Sequence, residues 1–187
     1  MKYLLLLAWA AAPGMAAKPA GDFIEYTPPS RLFSCEIPAE GWNALEEEGP
    51  RGLSVHILGP EEPDRDFRAG LHVHYFEKGR PGFTPWQELL VKIRERDPEA
   101  HRESTGMVSW RIAKRPARTF EIRESRLLPL DRIPAELVTL HHFYALVPGG
   151  GDSYFLIKLS TTERTYLQYR EPFKRFLKSF RIAGIES

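Results

Sequence analysis

The 187-residue chain carries 26 Lys and Arg against 25 Asp and Glu, a formal net charge of +1, so no excess of either sign marks it for nucleic acid or an anionic membrane surface. It is long enough to bury one sizeable core, and no linker, low-complexity tract or repeat divides it. A single cysteine excludes an intramolecular disulfide.

The first residues read as a targeting signal. Lys2 supplies a positive start, 3–12 an apolar core, and Gly14, Met15 and Ala16 a small-x-small cleavage site. A signal peptide over 1–16, cleaved near Ala16, predicts an exported chain, periplasmic or extracellular, and the apolar run is too short for a membrane span. No Cys follows the cleavage site, which leaves lipid attachment unsupported. Pro19, Pro28 and Pro29 make 17–30 an extended, poorly ordered lead-in, and 31–187 reads as a single domain.

A strand is predicted over 31–37, then a turn from Pro38 to Gly41 and a short strand over 42–46. Cys35, without a histidine or a cationic setting beside it, reads as a buried small hydrophobe. Glu46, Glu47 and Glu48 read as a solvated edge before Gly49 and Pro50, with a cation site as the alternative. The stretch 51–58 alternates with Leu53, Val55 and Ile57 inward, 59–68 is an exposed loop, and 70–76 returns with Leu71, Val73 and Tyr75 inward.

Thr84, Pro85, Trp86 and Gln87 form a helix start in which Thr84 caps, Pro85 takes the first position and Gln87 closes the box. Trp86, Leu89, Leu90 and Ile93 form its stripe, and Asp97 with Pro98 stops it. Strands over 107–113 and 117–123 flank a turn at Lys114, Arg115 and Pro116, burying Val108, Trp110, Ile112, Phe120 and Ile122. Strands over 137–147 and 154–159 are joined by Gly149, Gly150 and Gly151, a hairpin connection rather than a phosphate cradle because a strand follows it.

The strand over 154–159 is apolar on both faces and asks for a central place. Ser160 and Glu163 have capping-box spacing, and Tyr166, Tyr169, Phe173, Phe176, Leu177 and Phe180 then recur along one helical side. Pro172 predicts a break near 170–172, with a second helical segment opening at the proline. Strands outnumber helices and most neighbours are hairpin-like, so the fold class is α+β: a mainly antiparallel β-sheet flanked by helices.

The histidines are the one unusual polar feature. His72 and His74 share the strand face opposite the apolar set, and His56 falls across from His72 if the 59–68 loop closes a hairpin. Three imidazoles within reach of one zinc are the sharp hypothesis for His56, His72 and His74; an ordinary semipolar sheet face is the plain one. No acidic residue is forced by spacing to orient these rings. His141 and His142 point to opposite faces, so at most one joins the cluster, and His101 lies in a loop. Nucleophile elbows, phosphate loops and the helical His-Glu-x-x-His pattern are absent.

Phe33 with Ile37-Pro38 and Gly41-Trp42, the turn Pro116-Ala117-Arg118 into Phe120-Glu121, and the ending Tyr169, Phe173, Phe176 and Ser179-Phe180 occur in an order that resembles the PsbP-like family. The resemblance covers about 31–182 and implies an antiparallel sheet between helices, a PsbP-like α/β/α sandwich. It also implies a non-enzymatic binding or assembly module with a protein partner in the cell envelope, since family members are mostly adaptors. One branch binds the small GTPase Ran, and another helps photosystem II retain its inorganic cofactors. No catalytic motif or cofactor comes with the family, so none is carried over, and the oligomeric state stays open. The alternative is a small-ligand or metal-binding protein that uses the histidine-bearing sheet face.

Overall fold

The computed structural model describes residues 22–62, 67–128 and 134–184. The signal peptide over 1–16, the cleavage site, 17–21 of the lead-in and 63–66 of the expected loop lie outside the described residues. In chain order the elements are β1 (Phe23–Tyr26), β2 (Phe33–Pro38), β3 (Asn43–Gly49), β4 (Gly52–Glu62), β5 (Phe67–Phe76), α1 (Trp86–Arg94), β6 (Glu103–Ser104), β7 (Val108–Ile112), β8 (Arg115–Leu128), β9 (Glu136–Pro148), β10 (Tyr154–Thr162), α2 (Glu163–Ser179) and β11 (Arg181–Ile182). This is the α+β architecture expected.

An 8-stranded antiparallel sheet runs β3-β4-β5-β10-β9-β8-β6, with β7 also paired to β8. β10 sits inside it, bonded to β5 on one side and β9 on the other, as its two apolar faces require. One sheet face is covered by α2, whose Tyr169, Phe173, Phe176 and Leu177 pack with Val55, Leu71, Val73, Phe155 and Ile157. The other carries α1, whose Leu90 packs with Phe76, Phe120, Ile122, Tyr144 and Tyr154. Phe155, Phe173 and Phe176 are at most 1% exposed, and rings of this size each contribute about 2 kcal/mol by leaving water.

β2 does not join the large sheet. It pairs with β1 and β11 in a separate 3-stranded sheet, so the stretch 22–30, expected to be poorly ordered, contains a paired strand. Phe33 carries this small sheet onto the core: its ring stacks on Phe180 at 5.0 Å and meets Phe155 edge-on at 6.3 Å. Cys35 is 1% exposed, and burial pushes its thiol up to about 12, the inert state expected of it.

Several boundaries differ from the sequence reading, each for a local reason. β4 continues through Gly59 to Glu62, so the loop expected over 59–68 is narrower, and Glu62 is 6% exposed rather than solvated. β10 extends to Thr162, which leaves Ser160 in the strand, bonded to His142, instead of capping a helix. The start of α2 is held from across the sheet: the hydroxyls of Thr162 and Thr165 both donate to the Glu62 carboxylate. The start of α1 is one residue later than expected, with Pro85 at the cap position, while the Thr84 carbonyl accepts from the Tyr154 hydroxyl at 2.6 Å.

The turn of the β7–β8 hairpin is Ala113-Lys114, not 114–116, and both residues are left-handed, φ 49° and 61°. Pro116 therefore lies within β8, where its only ladder partner is Arg111 and its missing N–H interrupts no second ladder. Val108, expected to be buried, is 62% exposed: Ile112 and partly Trp110 reach the core under α2, and Val108 lies beyond it.

α2 is one helix of 17 residues with Pro172 inside it, not two segments. The carbonyl that Pro172 leaves without its helical donor belongs to Gln168, an exposed residue where water can serve it, while buried Tyr169 and Phe173 hold both adjoining turns on the sheet. Pro172→Ala should therefore restore a backbone bond and raise the unfolding free energy by about 1 kcal/mol or more in urea denaturation. A neutral or destabilising result would mean that Pro172 serves as a helix start after all.

Candidate functional site

The two-residue period of the strands places the polar residues of β4, β5, β10, β9 and β8 on the α1 side, beyond the apolar patch that α1 covers. The register sets His56 opposite His72, Ser54 opposite His74, Lys158 between His72 and Tyr144, and Ser160 opposite His142. All three histidines singled out in the sequence thus come together. The rings of His56 and His72 are 4.9 Å apart and those of His56 and His74 5.9 Å apart.

Their nitrogens are engaged in hydrogen bonds. Nδ1 of His56 and Nδ1 of His72 are 2.7 Å apart, so one ring donates and the other accepts; Nδ1 of His74 shares a 2.7 Å bond with the Ser54 hydroxyl. Two nitrogens ligating one tetrahedral zinc stand about 3.3 Å apart, given bonds of 2.0–2.1 Å. As arranged, the pair is a hydrogen bond and not half of a zinc site, and among the described residues no three His, Cys, Asp or Glu side chains are placed to hold a metal ion. Lys158, half-buried across from His72, adds a positive neighbour that opposes a cation there.

Burial, followed by the nearby His56 and Lys158, holds His72 down at about 3; burial, then His56 and Arg51, holds His74 at about 4. Both are neutral at pH 7. Gly70 makes room for this arrangement, because a Cβ there would stand 3.0 Å from His72 Nε2 and 3.2 Å from Leu58 Cδ2.

Farther along the same face lies a charged node that sequence reasoning missed. Glu124, 5% exposed, accepts from Arg102 at 2.7 Å and Arg126 at 3.0 Å, and His142 Nε2 approaches it to 3.5 Å. The other nitrogen of His142 lies 3.0 Å from the Ser160 hydroxyl, an arrangement that suits a neutral ring with its proton on Nε2. The His142 hydrogen bond, then Arg126 and Arg102, hold the Glu124 carboxyl well below its ordinary range although burial pulls the other way. Lys158 leans over the Tyr144 ring at 5.5 Å.

Glu47 was also missed as an orienting group. Its carboxylate stands 3.9 Å from His56 Nε2, while Glu46 binds the Ser30 backbone and hydroxyl and Glu48 binds Arg80. Strand alternation sets Glu47 on the face opposite Glu46 and Glu48, and those two bind different partners, so the three do not assemble the cation site weighed for them. The signal for Glu47 was available in the register of the β3–β4 hairpin, where Leu45 faces His56 and Glu47 the neighbouring Ser54. His141 lies on the opposite face, 3% exposed against the Tyr166 ring at 4.5 Å, and His101 is in an exposed turn.

No protein-family model matches the sequence, and no curated protein matches it significantly. Solved structures do match. The solution structure of cyanobacterial PsbP (CyanoP) from Synechocystis sp. PCC 6803 aligns with a TM-score of 0.53 and 16% identity over 91% of this chain and 99% of that one. The Saccharomyces cerevisiae Ran-binding protein Mog1p aligns with a TM-score of 0.53 and 10% identity over 87% of this chain and 96% of that one. The fold is shared; at such identities it is the fold alone that is carried.

The histidine face has a defined acid response. His72 and His74 have folded-state values below their ordinary 6.5, so their contribution is full above pH 6.5 and is lost as pH falls toward about 4. The urea midpoint should drop across that interval, and His72→Gln with His74→Gln should flatten the drop by several kcal/mol. An unchanged slope in the double variant would remove these rings from the acid response.

Proposed function

We propose that this chain with a PsbP-like fold is a non-enzymatic, exported protein-binding or assembly module. The observation that carries the reading is a surface cavity of about 440 Å³ between the start of α1, the start of β8 and the β9–β10 connection. Its walls include Phe83, Trp86, Pro116, Leu146, Pro148 and Tyr154, an apolar and aromatic lining suited to an inserted side chain. Trp86 is 38% exposed, a ring poised to act as an anchor.

The surroundings favour a polypeptide. Arg118 lines the cavity and donates to Ser109 on β7, which ties that strand to the cavity wall. Among the described residues β7 pairs only with β8, which leaves its outer edge open to meet another chain. Three polar residues of the lining are occupied structurally: Lys78 pairs with Asp152, and the Ser153 hydroxyl accepts from the Lys78 backbone. No histidine lines the cavity and no nucleophile meets a base there, which favours binding over chemistry.

The structural likeness to Mog1p, a Ran-binding protein, supports the same class of function. Export rests on the N-terminal pattern of Lys2, the apolar 3–12 and Gly14 to Ala16. Among the described residues no helix is long and apolar enough to cross a membrane.

Crosslinked capture from the envelope of the native host should return one reproducible partner, and Trp86→Ala should weaken its binding roughly tenfold, the size expected of an aromatic anchor. Leu167→Asp, at an exposed position on α2, should leave capture intact. Capture insensitive to Trp86→Ala would overturn the assignment of the cavity. Zinc content separates the metal alternative: protein purified without a polyhistidine tag should carry far less than one equivalent. Stoichiometric zinc that disappears in His72→Ala and His74→Ala would transfer the function to the histidine face.

A further inference from the structure

A second cavity, of about 460 Å³, lies between the β7–β8 turn and the junction of α2 with β11. Arg111, Lys114, Lys178 and Arg181 line it, with Leu177 and Ile182 among its apolar residues and no carboxylate. We infer that this cleft binds an acidic polypeptide segment of the partner, with the four cations reading its carboxylates and the apolar residues receiving the stems of its side chains. The inference rests on the protein-binding reading and adds the chemistry of what is bound.

The contrast with other surface cations supports it. Arg68 pairs with Glu61, Arg80 with Glu48 and Glu77, Lys174 with Glu171, and Arg175 with Glu36. Arg111, Lys114, Lys178 and Arg181 are all exposed, and none forms an ion pair with a carboxylate of the described residues. In a chain with 26 basic and 25 acidic residues, this is a local grouping and not a general basicity. Lys178 feels Glu171 only through space and Arg181 donates to the carbonyls of Lys178 and Phe180, so the four cations stand together without a directly paired carboxylate, and an acidic ligand relieves their mutual repulsion.

Backbone conformation supplies a second, independent observation. Ala113 and Lys114 hold the two left-handed positions of a hairpin turn, φ 49° and 61°, where Asn or Gly sits with less strain. The strained turn presents a cation to the cleft, which glycine could not do. The cleft also exceeds the space a single phosphate needs and has apolar residues along it, which suits a peptide better than a small inorganic anion.

The test is fluorescence anisotropy with a labelled oligoglutamate against the chain lacking 1–16. Binding should weaken as salt rises and fall about tenfold in the Lys114→Glu, Lys178→Glu double variant. The double variant to Gln should lose less, and Trp86→Ala should bind oligoglutamate normally. Equal binding by wild type and the charge-reversed variant would overturn the assignment. So would displacement of the peptide by equimolar inorganic phosphate, or binding of phosphatidylglycerol vesicles but not oligoglutamate. Partner capture that depends on Trp86 but not on Lys114 and Lys178 would remove the cleft alone; failure to capture any reproducible partner would remove the parent reading and leave the oligoglutamate result standing.

Discussion

The ring contacts of Phe33, Phe155, Phe176 and Phe180 are the constraint on which the arrangement of the chain depends. Phe155 belongs to the central strand of the large sheet, Phe33 to the small sheet, and Phe176 and Phe180 to the last turn of α2 and the residue after it. Their centroids lie between 5.0 and 6.3 Å apart, in stacked, tilted and edge-on pairs. Such pairs add about 1 kcal/mol each beyond the area they bury, and here they also fix where three otherwise separate elements meet. With Phe180 seated, Arg181 and Ile182 fall into register with Ser34 and Phe33, and the small sheet closes.

The parts of this arrangement that were legible in the sequence obey a short period. Alternation in 51–58 and 70–76 identified the inward residues and set three histidines on the far face; the repeat of Tyr169, Phe173 and Phe176 identified the covering side of α2. What escaped depends on contacts distant in the chain. Ser160 and Glu163 have the spacing of a cap, yet Glu62 from the end of β4 takes the threonine hydroxyls at the start of α2, because β10 runs three residues farther than its apolar stretch. The expected break at Pro172 fails for a related reason: tertiary packing of buried neighbours outweighs a local helix defect whose freed carbonyl faces water. Glu47 and Glu124 were not identified because a carboxylate announces no partner until register and packing bring one to it.

The two sheet faces divide the labour of the molecule. The α2 side is mainly apolar, with His141 buried against Tyr166 as an exception. The α1 side changes character along the strands, from aromatic cavity through apolar patch to a hydrogen-bonded field of histidine, lysine and glutamate. Neutral His72 and His74, hydrogen-bonded to His56 and to Ser54, suit a half-covered sheet face: their polar atoms are satisfied without requiring these two rings to carry buried charge. They allow the sheet to be polar at one end without being open.

The β7–β8 hairpin contributes Pro116 and Arg118 to the aromatic cavity and Arg111, Ala113 and Lys114 to the basic cleft. One two-stranded ribbon at the rim of the sheet is thus a wall shared by both. A ligand that tilts the ribbon on one side reshapes the wall on the other, and linkage requires the effect to be reciprocal: whatever factor the first ligand imposes on the affinity of the second, the second imposes on the first. In the binding role proposed, two features of one partner would be read as a single joint event, with the stiffness of the Ala113-Lys114 turn setting how strongly they are joined.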